Sequence, residues 1–163
     1  MASPRLIDNM KIVTGCNPAL LATTAGDGDY VSMKDYAHCT MILTILNATT
    51  VTGGAVTLLQ ATDVAGTSAK TLAFTKMWAN TDTGASDTLV ETAVTSNTFT
   101  TSTTNSKALK YVIEIEATDL DIANSFDCLR IDVASSVASV GNVEYILSGA
   151  REKPPIARSA ITD

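Results

Sequence analysis

The chain has 163 residues, only 17% of them charged, with 25 threonines and a formal net charge of −6. That length suits one domain able to bury about two thirds of its unfolded surface, so neither a metal nor a disulfide staple is needed for a core. An acidic chain without a basic stripe excludes a phosphate-backbone partner, and nucleic acid is set aside.

Abundant threonine and sparse charge favour strands and polar turns over surface helices, so the expected class is all-β. The apolar runs fall short of the roughly 18–20 residues that span a bilayer, and Asp8 and Lys11 stand where a signal peptide needs its apolar stretch. The expectation is a soluble protein made in the cytosol, with no membrane partner. Cys16, Cys39 and Cys128 are odd in number and widely spaced, without a CxxC. They read as buried free thiols rather than a disulfide framework or a zinc ribbon.

Residues 1–29 hold Pro4, Pro18 and a glycine-rich end, AGDGD, and read as an N-terminal arm or edge strand. Ile12, Val13, Leu20 and Leu21 could seat on this protein's own sheet or on another subunit. Asp27, Gly28 and Asp29 resemble a fragment of a calcium loop, but the remaining oxygen ligands and the terminal glutamate are missing, so a tight turn is expected and no metal.

In residues 30–50 a polar segment leads into MILTIL, apolar on both faces, which predicts a buried central strand. His38, the single histidine, lies beside Cys39, but neighbours on a strand point to opposite faces and cannot cooperate as base and nucleophile. NATTVTGG over 47–54 is a turn cluster.

Residues 55–80, AVTLLQATDVAGTSAKTLAFTKMWAN, show two apolar arms joined by a polar turn over 63–70, a hairpin or β-arch that forms the spine of one sheet. Its second arm carries Leu72, Phe74 and the single tryptophan, Trp78, either a core residue or an exposed anchor. Residues 79–105 read as two short edge strands among polar loops, with the threonines around Phe99 facing solvent or an interface.

KALKYVIEIEAT has the clearest period-two pattern, with Leu109, Tyr111, Ile113 and Ile115 on one face. Lys110, Val112, Glu114 and Glu116 form the other, wet face, and Glu114 and Glu116, two apart, are its solvent side rather than a catalytic pair. In ATDLDIAN a polar turn tucks Leu120 and Ile122 inward. Leu129, Ile131 and Val133 then point inward with Arg130 and Asp132 outward, and residues 143–147 alternate again after a loop of small residues, ASSVASVGN.

The tail, REKPPIARSAITD, contains Pro154 and Pro155, which prevent ladder pairing and helix alike. It is either solvated or a clasp on an adjacent subunit. Contact residues are expected at the extended ends, Leu20, Leu21, Pro154, Pro155, Ile156 and Arg158, joined by Trp78 if it is exposed.

YVSMKDYAHCTMIL, VTLLQATDVAGTSAKTLAFTKMWAN, YVIEIEATDLDIANSFDCLRIDV and VEYILSGAR, in that order over about residues 30–151, resemble a family of small virion proteins of tailed bacteriophages, the head decoration or cement proteins. The resemblance implies an antiparallel β-sandwich body, jelly-roll-like or Greek-key, over 30–150, with the arm and the tail (151–163) outside the match. It implies a non-enzymatic protein of the capsid surface, without cofactor, that binds the major capsid protein; a homo-oligomer, a trimer for instance, suits the local threefold positions of a shell. A tail, neck or baseplate component of the same virion is the alternative, and a carbohydrate-binding adsorption module another. The absence of GxSxG, HExxH and phosphate-loop glycines argues against a hydrolase.

Overall fold

A computed structural model describes residues 5–21, 28–134, 139–151 and 159–161. After one helical turn, Leu6–Asn9 (α1), the chain is built from strands. They are β1 (Lys11–Leu20), β2 (Val31–Ser32), β3 (His38–Asn47), β4 (Ala55–Ala61), β5 (Lys70–Leu72), β6 (Lys76–Asn80), β7 (Val90–Ala93), β8 (Thr98–Thr100), β9 (Ala108–Glu116), β10 (Cys128–Val133) and β11 (Ser139–Ser148). Two short 3-10 turns, Ala117–Asp119 and Ile122–Asn124, join β9 to β10.

The strands form two antiparallel sheets packed as a sandwich. The larger has six strands in the order β1-β11-β3-β9-β6-β7; the smaller has the order β2-β10-β4-β5, with β8 also paired to β4. The last strand therefore lies between the first and the third, and chain-terminal segments build one flank of the larger sheet.

Period-two alternation explains which side chains meet between the sheets. Met41, Leu43 and Ile45 of β3, Tyr111 and Ile113 of β9, and Tyr145 and Leu147 of β11 face Val56 and Leu58 of β4 and Leu129 and Ile131 of β10, all buried in one cluster. Residues 11–20 are thus an edge strand rather than a free arm, held by Val13 opposite Tyr145. Gly15 is required there, because a Cβ at that position would collide with the Tyr145 ring.

The 55–80 stretch does not form the spine of one sheet. β4 and β5 make the hairpin in the smaller sheet, with Leu58 opposite Leu72. The chain then crosses at residues 73–75, and β6 pairs with β9 in the larger sheet. Leu72, Phe74 and Met77, from β5, the crossing and β6 in turn, all enter the shared core.

Three further expectations change. β3 is central, but only one of its faces is buried, since Thr40, Ile42 and Thr44 are half-exposed and Leu46 is open to solvent. Ile122 is also exposed, while Leu120 is buried as predicted. β11 starts at Ser139, inside the small-residue segment read as a loop, because Ser139 finds Asn47 across the ladder.

Buried polar groups pin the loops. Asn47 donates from Nδ2 to the carbonyls of Ser102 (2.8 Å) and Thr104 (3.0 Å), and its Oδ1 accepts from the Ser139 hydroxyl (2.9 Å). The Tyr145 hydroxyl accepts from the Ile131 N–H (3.1 Å), tying the two sheets together, and full burial drives its pKa upward. Tyr111 likewise accepts from the Ser102 N–H (2.7 Å), with its pKa raised by burial. Each of these atoms would otherwise bear the cost of an unpaired buried polar group.

Candidate interaction face

The outer faces of the two sheets are finished differently. On the smaller sheet, the 62–69 turn folds back across the surface instead of projecting. Tyr30, Ala61 and Cys128 form a second buried cluster there, with Leu59 and Val64 packed against it. Gly66 (φ +84°) passes so close to Tyr30 that a Cβ would sit 2.7 Å from the ring. The Arg130 guanidinium lies over the same ring, 5.0 Å from its centre, and pairs with Asp132 at 2.9 Å. The Lys70 ammonium lies 4.0 Å from the centre of the Phe126 ring and pairs with Asp121.

Among the described residues, none forms such a cover over the centre of the larger sheet and its β1 flank. Cross-strand register places Leu20 (52% exposed) opposite Val140 (38%), and Val140 opposite Leu46 (58%), an apolar row across β1, β11 and β3. A second row runs Ile42, Val112, Trp78 across β3, β9 and β6, each half-buried. A third places Ile12 opposite Ile146. Between them stand Glu91, Glu114, Glu116 and Glu144, against Lys76 and Lys110, so the face is apolar and acidic together.

Two residues expected at contacts therefore share this face: Leu20 at one flank and Trp78 towards the other. Trp78 is neither fully buried nor free, since the Lys76 ammonium lies 5.1 Å from the centre of its ring. Leu21 points the other way, 2% exposed, with its N–H donating to the Ser139 carbonyl (2.8 Å). Pro154, Pro155, Ile156 and Arg158 lie outside the described residues. Of the tail, residues 159–161 are described: the Ser32 N–H donates to the Ala160 carbonyl (2.7 Å), and Ala160 is buried in this chain's own core. Val112 stands on the outer face with Glu114 and Glu116 as the alternation predicts, whereas Leu46 was missed as a surface residue because the run MILTIL does not show which of its faces is covered, and Val140 because its segment reads as a loop.

The polar chemistry is dispersed. Cys39 is fully buried, which pushes its thiol pKa up, while His38 lies on the opposite face with Nδ1 3.3 Å from the Ser148 hydroxyl. Glu114 and Glu116 are exposed on the outer face as the alternation predicts. Asp27 lies outside the described residues, and Asp29 donates its N–H to the Gly15 carbonyl (2.7 Å). Among the described residues no three His, Cys, Asp or Glu side chains are grouped to hold a metal ion.

The chain is similar in structure to the protein described as "SPBc2 prophage-derived protein YomS", with a TM-score of 0.45 and 12% sequence identity over 85% of this chain and 92% of that one. No protein-family model matches the chain, and comparison with curated proteins finds no match.

Proposed function

We propose that the protein is a non-enzymatic head decoration or cement protein of a tailed bacteriophage, and that it binds the major capsid protein through the outer face of its six-stranded sheet. The resemblance of phrases over about residues 30–151 to that family suggests the biological setting. The observation that carries the binding mode is the row Leu20, Val140, Leu46, held in register on three neighbouring strands and left to solvent.

Burial of a leucine side chain against a partner gains about 1.5–3 kcal/mol before the costs of association. The row is therefore worth several anchors of modest strength. The surrounding glutamates favour a partner surface that offers lysine or arginine beside its apolar groups. A subunit that binds only the assembled shell stabilises it by mass action, and many weak copies suffice.

The test is occupancy. Shells of the major capsid protein are mixed with the wild type, with Leu46→Lys and with Val140→Lys, and bound protein is measured by co-sedimentation together with the temperature of genome release. Both variants should lower occupancy about tenfold or more, since each places a charge in an apolar contact. Unchanged occupancy for both would remove this face from the interaction. Ile156→Asp with Arg158→Glu tests the tail separately while leaving Ala160 in the core, and loss of binding only in that variant would move the contact to the clasp. Copy number per particle tests head against tail: a few dozen copies or fewer would favour the tail, neck or baseplate reading.

A further inference from the structure

We propose that strand β7 is a self-complementary edge through which two copies of this chain pair about a twofold axis. The edge is separate from the Leu20, Val140, Leu46 row, which lies on β1, β11 and β3 at the other flank of the larger sheet. Exposed sheet edges recruit other strands unless they are short, bulged, charged or covered. The remaining edges carry such protection. β1 has Pro18 and register shifts at residues 14–16 and 16–19. β2 is two residues long and meets Ala160 through the Ser32 N–H. The far side of β4 is divided between β5 and β8, three residues each.

β7 is different. All four of its residues are exposed, Val90 at 61%, although Val90 and Thr92 share the side of the sheet that carries the buried Met77 and Tyr111. On that side lies an open groove of about 400 Å³, floored by Ala79, Val90 and Thr92 and walled by the 81–88 loop. Its single charge, Glu91, already has Lys76 beside it at 3.7 Å.

Hydrogen-bond alternation determines what the edge offers. The Val94 N–H donates to the Thr75 carbonyl (2.8 Å), so Thr75 and Val94 form a hydrogen-bonded pair at the end of the β6–β7 ladder. Counting back, Thr92 and Val90 turn their backbone groups to β6, and Glu91 and Ala93 turn theirs to the open side.

Two antiparallel copies can then pair only in registers that join outward-facing residues. Centring on Thr92 joins Glu91 to Ala93 of the second copy, and Ala93 to its Glu91, using both outward residues of each strand. It also sets Thr92 opposite Thr92, a favourable cross-strand pair. Centring on residue 91 would set two glutamates face to face. Centring on residue 93 would oppose Glu91 to Thr95, which is already bridged to Thr98, so charge and that bridge together favour one register and one occupant, a second copy. The axis stands perpendicular to the sheet, so the larger sheets become continuous and both outer faces look the same way.

The test uses the purified full chain. Sedimentation velocity from about 10 μM to about 1 mM covers the range of a small, weak interface. The wild type should shift from monomer to dimer across it. Ala93→Pro removes an outward N–H from each copy without touching the β6 ladder, the position at which an edge strand accepts proline. It should raise the dimer dissociation constant by about tenfold or more with the thermal midpoint little changed.

Register is read independently of stability by cysteine cross-linking under mild oxidation. Thr92→Cys should give a disulfide-linked dimer, because residue 92 faces itself across the axis at a non-hydrogen-bonded pair. Glu91→Cys should not, because its copies sit diagonally. A wild type that stays monomeric throughout, an Ala93→Pro variant that dimerises like the wild type, or equal cross-linking at 91 and 92 would each overturn the proposal.

Discussion

The outer face of the smaller sheet is sealed by its own chain, whereas the outer face of the larger sheet carries apolar rows among its glutamates, one of them open to solvent. Tyr30, Val64 and Gly66 close the first, with Arg130 laid over the Tyr30 ring. Leu20, Val140 and Leu46 stand open on the second. The comparison teaches that the same alternation serves two ends: where a turn folds back, an outward apolar residue becomes core, and where none does, it remains available to a partner.

Substitutions on the two faces should therefore differ sharply in their effect on folding. Tyr30→Ala opens the sealed face and should cost about 3–5 kcal/mol, read from the urea midpoint. Asn47→Ala strips partners from two carbonyls and from Ser139 at the edge of the core, and should cost about 2–4 kcal/mol in the same measurement. Gly66→Val strains a backbone at φ +84° and presses on Tyr30, with an expected loss of about 1–3 kcal/mol. On the open face, Leu46→Lys should leave the midpoint within about 0.5 kcal/mol. A large loss there would mean that the face is part of the fold, and a small one at Tyr30 would mean that the seal is not.

Acidification sharpens the same contrast without mutation. Asp63, in the sealing turn, is held below the usual carboxylate range by hydrogen bonds from Thr67, first the hydroxyl and then the backbone N–H. Asp121 is lowered by the hydrogen bond from Lys70 and then by that from Asn124. A depressed carboxylate contributes stability above its unfolded value, about 3.9, and loses it as pH falls through the lower folded value. The thermal midpoint should thus be insensitive to these two groups at neutral pH and fall below about pH 4, and Asp63→Asn should flatten that acid limb. An acid limb unchanged in Asp63→Asn would show that the turn is not held by its carboxylate.

Much of the strand inventory was legible because its residues state their own periodicity. Leu109, Tyr111, Ile113 and Ile115 alternate with Lys110, Glu114 and Glu116, and only Val112 departs from an apolar/polar pattern. Leu129, Ile131 and Val133 repeat it. The candidate face was less legible. Leu20 and Trp78 were named, but their neighbours Val140, Leu46, Ile42 and Val112 come from distant segments, and nothing local marks them as one surface. Leu21 was paired with Leu20 as a contact residue, yet a single step along the backbone turns it into the core.

The sequence by itself determined an all-β chain, the inward faces of β9 and β10 and the burial of Cys39 and Cys128, though not of Cys16, which is half-buried, because period-two alternation and composition are local properties. Only the tertiary structure decided that residues 55–80 divide between two sheets, that the 62–69 turn seals one outer face, and that Leu20, Val140 and Leu46 form a row on the other. Which strands become neighbours depends on contacts far apart in the chain, where loop closure and core packing compete, and no short window of sequence carries that balance.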